Sequence, residues 1–265
     1  MLKCAGYFDI GEVLMDKWET EASKLDRLAP WLAVAGAVIS AIGFVLAFTT
    51  APMVQGAEVT PELIAGQMVA NQLLFSQKIF YFHVPVAIAS FLALGITCIY
   101  SVLYLTKRKP EYDLRARVSV EVALVFIICT MGTGVPWTRF EWGIWWTWDP
   151  RLTTYLILML LSIGYFVLRT AFSESEKQAR YAAVFGIILF IDAPICFIIT
   201  RLVPSSLHPV IFRTDSGLPP DMLLPFLICM LGILILAYAL YRMRVRQETI
   251  AARIEILKNQ LEDME

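Results

Sequence analysis

The chain has 265 residues, 58% of them hydrophobic and only 17% charged, with a mean hydropathy of +0.66 and a formal net charge of −1. Soluble domains carry roughly 25% charged residues, so the composition excludes an ordinary water-soluble fold and points to a membrane protein. The net charge says little about partners, because a membrane protein sorts its charges by side; no nucleic acid is expected among them.

An α-helix needs about 20 apolar residues to cross a hydrocarbon core of about 30 Å. Six such runs occur, near residues 31–49, 80–105, 118–135, 152–169, 181–202 and 222–241, and each is expected to be helical because lipid leaves an open backbone unsatisfied. The expected fold is all-α, a polytopic membrane protein with six transmembrane helices. Of the 22 Lys and Arg residues, 17 fall in the N-terminal tail, the loop after the second run (Lys107, Arg108, Lys109, Arg115, Arg117), the loop after the fourth and the C-terminal tail. The positive-inside rule assigns those segments, and both termini, to the cytoplasm. The chain then divides into a cytoplasmic N-terminal segment (1–30), a six-helix transmembrane domain (31–241) and a cytoplasmic C-terminal helix (242–265).

The first run follows about 30 residues of charged sequence and is too long for a signal-peptide core, so it is expected to be retained. The second opens on QKIFYFHVPVAIAS, which holds His83 at the extracytoplasmic entrance, with Pro85 in keeping with a first helical turn. The third carries Glu121 near its cytoplasmic end. Between the third and fourth, EWGIWWTWDP (141–150) gathers four of the chain's seven tryptophans. A single Trp there is explained by the aromatic belt at the headgroups. Four in one loop are not, because a belt spreads its rings around the bundle, whereas Trp142, Trp145, Trp146 and Trp148 together make an apolar platform for a large, flat ligand.

Asp149 before Pro150 is a helix start, its carboxylate capping free N–H groups. Arg151 is out of place at a helix N-terminus, and is matched either by Asp149 or by an anionic group on a ligand. The fifth run holds Asp192 beside Pro194, a costly intramembrane carboxyl that is either functional or hydrogen-bonded support for the proline break. His208 follows in RLVPSSLHPVIF, again on the extracytoplasmic side. Beyond the sixth run, Ile250, Ile254, Leu257, Leu261 and Met264 form a heptad-like stripe, which either packs on the protein's own loops or a membrane surface, or docks a partner. Cys4, Cys98, Cys129, Cys196 and Cys229 form no CxxC or CxxCH, so neither a dithiol pair nor covalent haem attachment is expected.

Both histidines of the chain thus fall on the face that carries the tryptophans. Neutral imidazole is a good ligand for haem iron, and a pair from opposite sides gives a six-coordinate site. Arg139, Arg151, Arg201 and Arg213 are candidates to pair with the propionates. No catalysis by this chain is expected. Two other readings stay open: a haem-containing membrane redox subunit, which needs paired histidines inside helices at more than one depth, and a permease for another solute, in which the tryptophans are only a belt.

The run WGIWWTWDPRLTT carries a WGxxWxWD pattern. With the FHVP segment, the LHP segment and the six spans, the chain resembles, over most of its membrane-embedded length, the cytochrome c maturation protein C (CcmC) family of haem-handling WWD membrane proteins. The resemblance implies a WWD loop at 136–151, with Trp142, Gly143, Trp146, Trp148 and Asp149 in the signature positions and Trp145 and Arg151 as neighbours. It implies that His83 and His208 are axial ligands of a transiently, non-covalently bound haem b. It further implies presentation of that haem at the outer face of the cytoplasmic membrane to a CcmE-like haem chaperone, for c-type cytochrome biogenesis. ABC transporter subunits and a small CcmD-like membrane subunit are the other implied partners.

Overall fold

The computed structural model describes residues 24–52, 63–64, 67–68, 76–203 and 218–263. His208, Arg213 and Cys4 lie outside the described residues. Among the described residues, six helices are long and apolar enough to cross a membrane: α1 (Lys24–Thr49), α2 (Phe80–Lys107, entered through a 3-10 turn at Gln77–Ile79), α3 (Pro110–Trp142), α4 (Pro150–Thr170), α5 (Ser175–Leu202) and α6 (Pro220–Glu262). Between α1 and α2, the two-residue strands β1 (Leu63–Ile64) and β2 (Gln67–Met68) pair antiparallel, Leu63 opposite Met68. Among the described residues the polytopic, six-helix fold is therefore as expected, with this short β pair beside it.

Helix ends follow local chemistry. Pro110, Pro150 and Pro220 each open a helix, where the missing N–H costs nothing. Arg108 ends α2 in the left-handed region at φ 55°, its N–H donating to the Tyr104 carbonyl at 2.8 Å. Gly143 ends α3 at φ 72°, a conformation glycine adopts without a Cβ penalty.

Three boundaries differ from expectation. α3 spans 33 residues, so that residues 136–142, assigned above to the Trp loop, are helical and the irregular segment shrinks to 143–149. Pro136 reads as a stop in water, but in a membrane bundle a helical proline is tolerated, and the stop is Gly143. α2 begins early enough that Pro85 sits beyond its first turn. α6 runs unbroken through residues 241 and 242; its 43 residues reach about 65 Å at 1.5 Å each, so its C-terminal half stands clear of a 30 Å core.

α2 is the central element. One face packs with α3, α4 and α5 in a cluster built on Leu94, Val120, Ile127, Leu158 and Leu189. Another meets α1 and α6 through Tyr81, Val84, Ala47, Phe226 and Cys229, and a third group joins Val86, Phe126 and Ile233. α1 leans on α6 through small residues. A Cβ on Gly36 would stand 2.7 Å from the Leu236 backbone nitrogen, and one on Gly232 2.5 Å from that of Ser40. Ser40 Oγ donates to the Gly36 carbonyl at 2.8 Å. Such close approach is how small residues hold helices together where lipid removes the hydrophobic drive.

Up-and-down connectivity sorts the polar residues. The end away from the tryptophans is laced with ion pairs: Arg242 with Asp26 at 2.6 Å, Arg244 with Glu121 at 2.6 Å, Arg117 with Glu248, and Arg169 gripping both carboxylate oxygens of Asp113 at 2.7 Å. Glu121 is thus paired rather than free at the interface.

Candidate functional site

At the Trp end the site is built from the end of α1, the start of α2, the end of α3 and the start of α4. Lys78, 4% exposed, donates from Nζ to the Ala47 and Ala51 carbonyls, both at 2.7 Å. These are orphan acceptors at the C-terminus of α1, and a cation there also meets the negative end of the helix dipole. Lys78 therefore ties the entrance of α2 to α1 and fixes the depth of the next turn.

That turn carries His83, half-buried against α3. Its Nδ1 is 3.0 Å from Thr133 Oγ1. Its ring lies edge-on to the Trp137 indole, centroids 5.4 Å apart at 80°, and passes so close to Gly134 that an added Cβ would meet Cε1 at 2.9 Å. Trp137 is itself held: its Nε1 donates to Glu141 Oε1 at 2.9 Å, and Ser76 Oγ donates to the same oxygen. Thr133, Gly134, Trp137 and Glu141 were not singled out by sequence reasoning. Their helical spacing around one histidine was the available signal, hidden because the expected apolar run ended near residue 135.

The segment 143–149 is tied back onto α3. Thr138 Oγ1 donates to the Trp145 carbonyl at 2.9 Å, and the Arg139 guanidinium donates to the Gly143 carbonyl. Trp146 and Trp148 meet edge to face, 5.8 Å apart at 85°, while Trp145 and Trp148 remain 62% and 74% exposed. Trp142 and Trp146 are half-buried. The loop presents apolar rings rather than burying them.

Asp149 caps α4 as expected: it is 5% exposed, and its Oδ1 accepts from the Arg151 N–H at 2.9 Å, while its carbonyl accepts from Thr153 Oγ1 at 2.9 Å. The Arg151 side chain makes no ion pair among the described residues. It is half-buried, within electrostatic reach of His83, Tyr155, Cys196, Arg201 and the Asp149 carboxylate. Tyr155 is buried beneath it, its hydroxyl 3.0 Å from Ser90 Oγ. Of the other candidate arginines, Arg139 is committed to Gly143, and exposed Arg201 lies over the Phe197 ring at 5.0 Å. Deeper in α5, Cys196 Sγ donates weakly to Asp192 Oδ2 at 3.8 Å.

Chemically, this end offers an imidazole held on one nitrogen, exposed indoles and a half-buried guanidinium that makes no direct ion pair among the described residues. Among the described residues no three His, Cys, Asp or Glu side chains come together, so a bare metal ion would find no cage there. A ring that brings its own four nitrogen ligands needs from the protein only axial donors, cover for its face and a cation for its carboxylates. The residues present fit haem as cargo.

Comparison with known proteins bears on the same end. The family model described as heme exporter protein C matches residues 17–260. A heme exporter protein C of Bradyrhizobium diazoefficiens is 31% identical over 237 residues, covering 88% of this chain and 82% of that protein. The protein of that name from Haemophilus influenzae is 30% identical, covering 88% and 89%, and that from Escherichia coli K12 is 29% identical, covering 82% of each.

Proposed function

The chain belongs to the heme exporter protein C family, and we propose that it binds haem b at the extracytoplasmic face of the cytoplasmic membrane and delivers it to a CcmE-like haem chaperone for c-type cytochrome biogenesis. The observation that supports this reading is the half-buried Arg151 guanidinium, without an ion pair among the described residues and within electrostatic reach of both His83 and Asp149, at the end of the bundle where Trp145 and Trp148 are exposed. A half-buried guanidinium that makes no direct ion pair among the described residues has donors left for a propionate.

In this reading His83 and His208 supply the axial ligands. Trp142, Trp145, Trp146 and Trp148 cover the ring, Gly143 turns the loop, and Asp149 fixes that loop relative to the bilayer. Arg151 pairs with a propionate. The bound haem supplies an iron that takes nitrogen donors on both faces; the chain's own residues orient and release it. Non-covalent ligation suits release, and the exposed rings of Trp145 and Trp148 leave a surface on which a haem edge can meet a second protein. No bond in the cargo is made or broken by this chain. ABC transporter subunits and a small CcmD-like membrane subunit are proposed as the other members of the assembly.

The test is absorbance of the purified protein together with haem loading of a co-expressed chaperone. His83→Ala and His208→Ala each remove the six-coordinate haem spectrum, and Trp146→Ala lets haem bind but cuts loading of the chaperone by at least tenfold. An unchanged spectrum in both histidine variants overturns the ligand assignment; normal chaperone loading by Trp146→Ala overturns the role of the loop.

A further inference from the structure

We propose that Thr133 is a positioning residue for His83: by accepting a hydrogen bond from Nδ1 it fixes the imidazole in the tautomer whose Nε2 lone pair is free for iron. The inference rests on the ligand reading above and concerns which nitrogen binds and how firmly.

The assignment follows from proton inventory. A threonine hydroxyl has one proton and two lone pairs. Thr133 Oγ1 lies 2.9 Å from the Cys129 carbonyl and 3.1 Å from that of Thr130, and a carbonyl only accepts, so the hydroxyl proton is directed along its own helix. What Oγ1 has left for His83 Nδ1, 3.0 Å away, is a lone pair. Nδ1 must therefore carry the proton. A neutral imidazole has a single N–H, so Nε2 is left as the acceptor, and among the described residues none hydrogen-bonds to it.

The rest of the contact face enforces one ring plane. Gly134 leaves room for the ring where any Cβ would press on Cε1 at 2.9 Å. Trp137 stands edge-on to it and is immobilised by Glu141 and Ser76. Thr133, Gly134, Trp137 and Glu141 thus lie along one side of α3. A hydrogen bond to the far nitrogen of a ligating histidine also raises the basicity of the near one, and removing such an outer partner typically costs 10–100-fold in affinity. Thr133 then sets how tightly the cargo is held, which for a protein that must hand haem on matters as much as whether it is held.

The experiment titrates haem b into the purified full chain and records affinity, the Soret band and the midpoint potential. Thr133→Val keeps the shape and removes the acceptor; it weakens binding roughly 10–100-fold and shifts the potential and Soret band, while Thr133→Ser restores wild-type values. Thr133→Ala serves in place of the valine variant if that chain loses helicity by circular dichroism. Wild-type affinity and spectrum in the acceptor-less variant, alongside loss of haem in His83→Ala, overturn the role of Thr133 alone. Retention of the wild-type spectrum by His83→Ala overturns the ligand reading, and this inference with it.

Discussion

Lys78 is a cation with almost no exposed surface at the rim of an apolar bundle, and its cost is met by two carbonyls that would otherwise be orphaned. Lys78→Met keeps the length and removes the donors, leaving polar groups of α1 unsatisfied at roughly 1–3 kcal/mol each. The expected result is a lower melting temperature in detergent together with weakened haem binding, because His83 sits one turn on; a melting temperature equal to wild type would show that the capping contributes nothing. Lys78 was invisible to sequence reasoning except as one more basic residue, since its role depends on where α1 ends. His83, the four tryptophans and Asp149 were legible because each is a rare residue type, or a local signature, with its chemistry carried by its own side chain. The N-cap of Asp149, for instance, is a relation between neighbours two residues apart. Thr133 and Glu141 differ: Thr133 meets His83 50 positions away, and Glu141 joins Trp137 on its own helix to Ser76, 65 positions away, and packing alone brings the distant pairs together.

At the scale of elements, six apolar runs of membrane length gave six helices, because in lipid the backbone has no alternative. The ends of those runs were less legible, since hydropathy marks where lipid stops and not where hydrogen bonding stops. α3 shows both errors: its charged first two turns and its last two turns through Trp142 lie outside the apolar run yet remain helical. Nor could periodicity show that α1 and α6 are partners, since both are apolar around most of their circumference; the pairing is written in Gly36, Ser40, Gly43 and Gly232. Gly36→Ala would drive a methyl onto the backbone of α6, and overpacking of this kind costs about 1–3 kcal/mol. Gly132→Ala, on the other hand, meets nothing within 4 Å and should gain up to about 1 kcal/mol from helix propensity. Thermal melts of the two variants should therefore move in opposite directions; equal shifts would mean that α1 and α6 are not held by close backbone approach.

At the scale of the whole molecule the two ends differ in charge, and that difference bears on which way the bundle faces. The end formed by the starts of α1, α3 and α5 is stitched by Arg117, Arg169, Arg242 and Arg244 to acidic partners. The other presents Trp145, Trp148 and Ile144 with few basic groups. Pairing softens the net field at the first end, but the orientation rule counts Lys and Arg near the spans and not net charge, because acidic residues weigh little in it. The 17 of 22 basic residues assigned from sequence to one side thus keep their force even though many are ion-paired in the folded bundle. The prediction is that alkaline phosphatase fused after Trp148 is active, as an enzyme requiring an oxidising compartment is outside the cytoplasm, whereas the same enzyme fused after Lys109 is inactive. The reverse pattern would turn the tryptophan loop toward the cytosol and remove any means of presenting haem to a chaperone outside, however well His83 and Arg151 were arranged to bind it.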